Sequence, residues 1–386
     1  MRDATTTTSA ALAGWGLVCA TGNGAAPLRN ALQHNRSALA VDSRFSRALF
    51  QTNMVGTAPQ EVTDDPAWQF ATTALHEAVR ASESVLRTIP AERLGLVLST
   101  TKANIEALER IADGRACSAP ARRHLQADLL AADLAAEFGA RGPVQNVSNA
   151  CVSGLIALVQ GAKLIRRGVA DAVLVIGVDH LSAFVVSGFS TLKAIDPDGC
   201  RPFDQNRRGL SPGEAGAAMV LVRADLAAPQ SVYIRGWGSS NDANHMTGPS
   251  RDGAGLAQAI RVALRASDLA PTQIDYINAH GTGTQYNDAM ESAALLSVFG
   301  DAIPPVSGLK GMFGHTLGAA GVLETIACAM SLQEKFLPGT PRLEHAAAGF
   351  PASLIKTPRP APHLKRILKL NTGFGGMNGA LILEQA

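Results

Sequence analysis

The sequence has few aromatic residues, few charged residues and no long uninterrupted apolar run. Phenylalanine, tryptophan and tyrosine together make up 5% of the 386 residues, and charged residues make up 17%. The formal net charge is +2, so the composition lacks the basic excess typical of nucleic-acid-binding domains, and we expect no nucleic-acid partner. Because no run of about 18 apolar residues occurs, we also expect no membrane-spanning helix.

Cysteine is scarce as well, and its five copies are scattered without a CxxC pair: Cys19, Cys117, Cys151, Cys200 and Cys328. This odd number and spacing support neither a disulfide framework nor a zinc site, so we expect no metal and a reducing, cytoplasmic location. The start of the chain, MRDATTTTSAALAGWGLVCATGNG, is only weakly basic and its apolar run is broken by glycines. We interpret it as a first strand and turn rather than a signal peptide.

Hydrophobic residues are abundant at 46%, and several short apolar runs alternate with helical patterns. Such continuous apolar strands between helices are typical of sheets that are covered on both faces. The sequence therefore predicts an α/β fold in which helices are layered around sheet. The strand-like runs are LGLVLST (94–100), DAVLVIGVD (171–179), AGAAMVLV (215–222), IDYINAHG (274–281) and GALILEQ (379–385).

The chain also shows a weak internal repeat. A Gly-Trp-Gly triplet at 14–16 recurs at 236–238, an offset of 222 residues. The same offset carries Cys151 to position 373, inside another glycine-rich turn beside an apolar run, NTGFGGMNGALIL. These two coincidences predict a duplicated α/β architecture, with one half at 1–225 and the other at 226–386.

Cys151 lies where a polar stretch becomes apolar, in VQNVSNACVSGLIALVQGAKLIRRG (144–168). If a buried helix begins there, its free N–H groups and dipole favour the thiolate, which is the nucleophilic form of cysteine. The alternative is a small cysteine that only packs in the core. The position of Cys151 alone leaves both interpretations open.

Two histidines in glycine-rich segments are the candidate partners of this thiol. His280 lies in NAHGTGTQYND (278–288), and His315 lies in GLKGMFGHTLGAAGVLET (308–325). A single histidine is more often structural, but two histidines with one cysteine make a nucleophile-and-donor set. Lys310 and Glu324 flank His315; they could set the protonation of the imidazoles, or could be surface charges.

Six motifs follow one another along the chain: NACVSG (149–154), RPFDQNRRGLSPGEAGA (201–217), DANHMTGP (242–249), NAHGTGT (278–284), KGMFGHTLGAAG (310–321) and GFGGMN (373–378). In this order they resemble the motifs of the β-ketoacyl-acyl-carrier-protein synthases, elongating condensing enzymes with the thiolase fold. The resemblance extends from about Gly14 to Leu383 and implies a five-layered αβαβα fold built from two pseudo-duplicated halves.

The resemblance implies an acyltransferase that carries out decarboxylative Claisen condensation with a malonyl-carrier substrate, in fatty acid, polyketide or polyene biosynthesis. Cys151 matches the acylated nucleophile of the family. His280 and His315 match the two histidines of its catalytic triad, and Lys310 and Glu324 match its supporting charged pair.

The resemblance also implies roles around the triad. Phe374 matches the gating phenylalanine, whose N–H and that of the nucleophile form the oxyanion hole. Thr282 and Thr284 match threonines that hydrogen-bond the phosphopantetheine arm. Phe189 matches a residue that lines the acyl pocket, and Lys193 matches a basic position that meets the acidic carrier protein.

The implied partners are an acyl carrier protein and a second synthase-like chain. Substrates would arrive on the phosphopantetheine of the carrier, and no other cofactor is expected. Segment 142–148 matches the strand through which the family dimerises, so we expect a homodimer or a heterodimer with a related chain. Asp288 and Glu291 match an acidic pair for which we expect a structural role.

Two other functions remain to be weighed. A non-catalytic subunit of the chain-length-factor type usually lacks the nucleophile, whereas Cys151, His280 and His315 are all present here. A degradative thiolase carries a second active-site cysteine in its C-terminal glycine-rich loop, where this chain has Phe374. The residues therefore favour a biosynthetic condensing enzyme.

Overall fold

The computed structural model describes residues 10–385, which form a mixed α/β fold around one large sheet. The strands are β1 Ala10–Cys19, β2 Gly22–Asn23, β3 Ala40–Val41, β4 Met54–Val55, β5 Leu94–Ser99, β6 Val144–Val147, β7 Ala172–Asp179, β8 Ala215–Arg223, β9 Val232–Asn241, β10 Tyr276–Asn278, β11 Val306–Ser307, β12 Phe336–Leu337, β13 Arg359–Pro360, β14 Arg366–Gly373 and β15 Met377–Gln385. The helices are α1 Ala25–His34, α2 Arg47–Phe50, α3 Pro66–Ala81, α4 Glu83–Leu86, α5 Ile105–Ala112, α6 Ala119–Arg123, α7 Ala127–Glu137, α8 Ser153–Arg166, α9 Ala183–Thr191, α10 Ala254–Ser267, α11 Gln285–Phe299, α12 Lys310–Phe313 and α13 Ala320–Glu334.

The strand runs predicted from the sequence correspond to β5, β7, β8, β10 and β15, although β10 is only three residues long. The interpretation of the chain start as a strand is confirmed from Ala10 onward by β1. Residues 1–9, which also belong to that interpretation, lie outside the described residues.

The main sheet has the strand order β11-β10-β14-β15-β9-β1-β8-β7-β5-β6. The first half contributes β1, β5, β6, β7 and β8 to this order, and the second half contributes β9, β10, β11, β14 and β15. When each set is numbered 1 to 5 along the chain, both sets run 3-2-4-5-1 from the edge of the sheet to its centre. The repeated Gly-Trp-Gly triplets lie in β1 and β9, the first strand of each half, which pair antiparallel at the centre. The halves are thus built alike, while their division at 225/226 stays a prediction.

Alternate residues of the inner strands face two different helix layers. In the first half, Leu96 and Leu98 of β5 pack in a core with α3 and α7. Val97, between them, belongs to a second core that contains α8, α13 and residues of β14 and β15 from the other half. On the far side of the second half, Leu368 and Leu370 pack with α10 and α11. The order of layers is therefore helix, sheet, helix, sheet, helix, where the two sheet layers are the two halves of the one main sheet.

The two central helices, α8 and α13, touch at their first turns through glycines. A Cβ atom built on Gly321 would lie 2.1 Å from the backbone nitrogen of Leu155, and one built on Gly154 would lie 2.8 Å from the carbonyl oxygen of Gly318. Only glycine allows this approach of backbone to backbone. The contact brings the chain before α8, with Cys151, close to the chain before α13, with His315.

Candidate active site

A cavity of about 400 Å³ lies where the starts of α8 and α13 meet the carboxyl end of β10. It brings together the candidate nucleophile and both candidate histidines with five other residues singled out from the sequence. Lys310 and Glu324 do not line it but lie fully buried behind it. The eight predicted residues that line the cavity are Cys151, Phe189, Lys193, Thr282, Thr284, His280, His315 and Phe374.

Cys151 lies two residues before α8, at the end of a strained turn. Ala150 has the left-handed φ of 46° that residues with a Cβ atom rarely adopt. The Ser153 hydroxyl donates to the carbonyl oxygen of Ala150 at 2.6 Å and accepts from the N–H of Asn149 at 2.7 Å, which holds the turn. The Cys151 side chain is packed beside Val185 and is only 7% exposed.

The thiol of Cys151 is the protonated form in the free site. Burial raises its pKa to about 12, because a thiolate there loses the stabilisation that water provides. The charge of Lys310 and the backbone N–H groups of Phe374 and of Cys151 itself act in the opposite direction, but burial outweighs them. The N–H groups thus act in the direction expected from the sequence, but they do not offset the burial of the thiol.

His280 follows β10 and is fixed through both its backbone and its ring. Glu291, which is fully buried, accepts the N–H of His280 and that of Gly281 at 2.7 Å each. The Nδ1 atom of His280 lies 3.1 Å from Lys310 Nζ and 3.2 Å from Asn371 Nδ2. Since an ammonium and an amide nitrogen can only donate, Nδ1 accepts and the ring proton is on Nε2.

His315 is held as the same tautomer by a backbone contact. The N–H of Leu317 donates to His315 Nδ1 at 3.3 Å, which leaves the proton on Nε2. The His280 and His315 rings are 5.1 Å apart between centroids and nearly perpendicular, at 82°. Burial lowers the pKa of each imidazole well below its ordinary value, and the charge of Lys310 lowers it further. Both rings are therefore neutral N–H donors at neutral pH.

A buried charge cluster lies behind His280. Glu324 accepts from Lys310 Nζ at 2.6 Å through Oε1, and its Oε2 lies 2.8 Å from Lys369 Nζ. Burial alone would raise the pKa of the Glu324 carboxyl, but the two lysines outweigh it and the pKa is lowered. Lys369 and Asn371 were missed by the sequence reasoning; the signal was their alternation with apolar residues along β14.

The loop after His280 is held by the acidic pair that follows it. Asp288 accepts the N–H of Thr282 at 3.1 Å and that of Gly283 at 3.2 Å. The hydroxyls of Thr282 and Thr284 lie 2.9 Å apart on the cavity wall. Together with the two bonds that Glu291 accepts, these contacts agree with the structural role expected for the pair.

Two aromatic rings and one lysine lie along the rest of the cavity. The rings of Phe189 and Phe374 are 5.9 Å apart between centroids, with a tilt of 49°. Lys193 lines the cavity from an exposed position. The neighbouring Arg208 is bound to Asp196 at 2.9 Å and to Asp198 at 2.5 Å.

Within residues 10–385, no three or more His, Cys, Asp or Glu side chains are grouped so that they could bind a metal ion. None of the helices described for these residues has the length and apolarity needed to cross a membrane.

Comparison with known proteins decides the family. The models of the beta-ketoacyl synthase N-terminal and C-terminal domains match residues 14–227 and 232–344. The chain belongs to the beta-ketoacyl synthase family. It is 31% identical to the ketoacyl synthase alpha subunit of the tetracenomycin polyketide synthase of Streptomyces glaucescens, over 97% of this chain and 96% of that one.

Solved structures of this family share the whole fold. The ishigamide ketosynthase/chain length factor matches with a TM-score of 0.90 at 29% identity, over 98% of this chain and 100% of the other. A ketosynthase, ApeO, in complex with its chain length factor, ApeC, from Xenorhabdus doucetiae matches with a TM-score of 0.88 at 28% identity, over 100% of both chains. The predicted thiolase-like α/β fold is thereby confirmed.

Proposed function

We propose that this chain is a catalytic 3-oxoacyl-carrier-protein synthase of a polyketide or fatty acid pathway. In this proposal Cys151 holds the growing acyl group, and malonyl carrier protein extends it with loss of CO2. The supporting observation is that two neutral imidazoles, both with the proton on Nε2, share a cavity with the thiol. Such a pair can stabilise an enolate oxygen without giving up a proton.

Acyl loading is the first half of the reaction. The Cys151 sulfur attacks the carbonyl carbon of an acyl-phosphopantetheine thioester, and its proton ends on the departing pantetheine thiol. The tetrahedral oxyanion would accept from the N–H groups of Cys151 and Phe374, both of which act on the sulfur. Losing one such donor typically costs about 3–4 kcal/mol of transition-state stabilisation.

Condensation is the second half. The C–C bond to the malonyl carboxylate breaks, CO2 leaves, and the electron pair forms an enolate whose oxygen accepts from Nε2–H of His280 and His315. The enolate carbon then attacks the thioester on Cys151, and the sulfur leaves as thiolate. Lys310, Glu324 and Asn371 hold His280 in the donating tautomer, while Thr282 and Thr284 would bind the pantetheine arm.

Replacing Cys151 by alanine separates these two halves. We expect the Cys151→Ala variant to show no acyl adduct by intact-mass spectrometry, whereas malonyl decarboxylation, measured as CO2 release, continues. The matched control is Cys117→Ala, which removes a partly exposed cysteine remote from the cavity lining and should keep both activities. A Cys151→Ala variant that still condenses acyl groups would refute the assignment.

A non-catalytic subunit of the chain-length-factor type is the second candidate, because two of the matched structures contain both kinds of chain. A chain of this type would take no acyl group and release no CO2 with any carrier-bound primer. The presence of the thiol and of both donors in one cavity supports the catalytic role.

The proposed partners are an acyl carrier protein and a second synthase-like chain, in a homodimer or heterodimer. Lys193 is the proposed carrier contact, since its ammonium is exposed beside the cavity. Strand β6 is the proposed dimer contact, because it ends the main sheet and pairs only with β5 on one side. No cofactor beyond the phosphopantetheine of the carrier is needed by this chemistry, and the five free thiols fit a reducing cytoplasm.

A further inference from the structure

Lys369 is a buried lysine in the middle of β14. The alternation of polar and apolar residues along this strand would predict that its side chain is exposed to solvent. Its side chain has no exposure. The ammonium lies 2.8 Å from Glu324 Oε2 and donates to the carbonyl oxygen of Leu370. Two residues later on the same face of the strand, Asn371 reaches His280 Nδ1. The side chains of Lys369 and Asn371, one charged and one polar, thus both lie on the face of β14 that is turned toward the candidate active site.

Glu324 is shared between two ammonium groups, one on each carboxylate oxygen. Lys310 is bound at 2.6 Å to Oε1 and Lys369 at 2.8 Å to Oε2, and none of the three side chains is exposed. A single buried lysine–glutamate pair would be neutral overall. Burial lowers the pKa of the Lys369 ammonium, while the Glu324 carboxylate acts in the opposite direction. With both lysines protonated, the triad carries one net positive charge enclosed beside the imidazoles, where screening by water is weak.

We propose that Lys369 is a positioning residue for the condensation reaction, which fixes the Glu324 carboxylate and keeps both imidazoles as neutral Nε2–H donors. The geometry supports two effects. The second ammonium holds Glu324 in place, and Glu324 in turn orients Lys310 against His280 Nδ1. The net positive charge also makes a further positive charge on His280 or His315 unfavourable.

The groups that face Lys369 come from two helices, α12 and α13, and they differ in charge. Glu324 and Cys328 of α13 and Lys310 of α12 face its ammonium. Lys369 in turn lowers the pKa of His280 and of His315, after the larger effects of burial and Lys310. Removing the ammonium leaves the remaining pair neutral, so protonation of the imidazoles becomes easier. A proton on Nδ1 would point at the Lys310 ammonium in the case of His280, and at the Leu317 N–H in the case of His315. Because two donors repel each other, the ring would turn away from its position.

The inference rests on the proposed function, and Lys369→Met tests it by removing the charge while keeping much of the volume. Malonyl decarboxylation by the wild-type protein should change less than about twofold between pH 8 and pH 6. In Lys369→Met the decarboxylation rate should fall about tenfold from pH 8 to pH 6, as expected if the pKa of one imidazole rises into this pH range. The matched control is Lys365→Met, which removes an exposed lysine before the same strand and should follow the wild type.

Nitrogen NMR of 15N-labelled histidine gives a second readout that does not depend on activity. In the wild type, His280 and His315 should keep neutral Nε2–H signals from pH 8 to pH 6, and in Lys369→Met at least one should show imidazolium within that range. Lys369→Gln serves as a second variant should the methionine variant fail to fold.

The outcomes separate the inference from the proposed function. Identical pH profiles and histidine signals in wild type and variant would overturn the role of Lys369, as would imidazolium signals in the wild type at pH 6–8. A wild-type protein that releases no CO2 with any carrier would overturn the proposed function instead, while the histidine signals would still decide the role of Lys369.

Discussion

Burial and local charge act against each other at Cys151. In the proposed function, a cavity that excludes water would favour attack by carbon over hydrolysis in the second half-reaction. Burial raises the pKa of the Cys151 thiol to about 12, so the free protein carries little thiolate. In that proposal, loading depends on the incoming thioester, whose departing thiol takes up the proton that the sulfur loses.

The reactivity of Cys151 with a simple electrophile should show this directly. We expect the rate of alkylation by iodoacetamide, followed by peptide mass spectrometry, to rise about tenfold per pH unit from pH 7 to pH 10, because only the thiolate reacts. A rate that levels off near neutral pH would contradict the raised pKa. Cys117, which is partly exposed, provides the internal reference in the same digest.

The candidate nucleophile and histidines could be identified from the sequence, but the buried groups that contact them could be identified only in part. Cys151, His280 and His315 lie in glycine-rich motifs that identify them by type and order. Lys369 and Asn371 alternate with apolar residues, the pattern of a strand with one wet face. That face is instead covered by α13, which lies between the two halves of the chain and also packs against α8. Burial of a polar face arises only from tertiary packing, so the sequence pattern did not identify Lys369 and Asn371 or show how strongly Cys151 is buried.

At the scale of elements, the contact between α8 and α13 brings the segment with Cys151 close to the segment with His315. It is made by backbone atoms at Gly154 and Gly321, so no side-chain rearrangement can absorb an added methyl group. The two helices come from different halves of the chain, and each is preceded by one of the reacting residues.

Gly321→Ala should therefore destabilise the protein and weaken condensation together. An added Cβ atom 2.1 Å from the Leu155 nitrogen forces the helices apart, at a cost of about 1–3 kcal/mol in the free energy of unfolding. Chemical denaturation measures the first effect and product formation the second. In the control Gly188→Ala, no atom lies within 4 Å of the new Cβ, and the α9 helix should gain up to about 1 kcal/mol. Equal stability of the two variants would contradict the proposed contact.

A second element-scale feature is His124, which joins the start of α3 to the middle of α7. Its Nδ1 lies 2.5 Å from Asp65 and its Nε2 lies 3.0 Å from Asp133. Burial opposes protonation of this ring, but the hydrogen bonds and charges of the two carboxylates outweigh it, and the pKa of His124 is raised.

Because this pKa is higher in the folded state, protonated His124 stabilises the fold most below the unfolded value of about 6.5. The stabilisation is lost as the pH rises through the folded-state pKa. We expect His124→Gln to lower the free energy of unfolding more at pH 5.5 than at pH 8.5, as measured by denaturant titration. The exposed His76→Gln is the control, and an equal loss at both pH values would argue against the ionic contact.

At the scale of the whole molecule, the sheet ends at β6. The N–H of Leu96 donates to the carbonyl oxygen of Pro143, and that of Thr100 donates to Val147, so the odd-numbered residues of this segment face β5. The N–H of Asn146 consequently points away from the sheet, at an edge open to another strand.

Asn146→Pro should abolish pairing at this edge without removing a bond inside the chain. We expect the proline variant to run as a monomer in size-exclusion chromatography with light scattering, while Asn146→Ala, which keeps the N–H, remains a dimer with itself or a related chain. A proline variant that stays dimeric would place the proposed interface elsewhere.

The contact between α8 and α13 at Gly154 and Gly321 has a consequence for how the sequence of this protein can vary. Main-chain atoms of α8 and α13 set the spacing between the Cys151 and His315 segments, so exchanges of side chains farther out leave that spacing intact. Leu192 and Tyr286 are 50% and 68% exposed along the same cavity. In the proposed function, these two side chains can change with the acyl group that passes them while Cys151 and His315 keep their places.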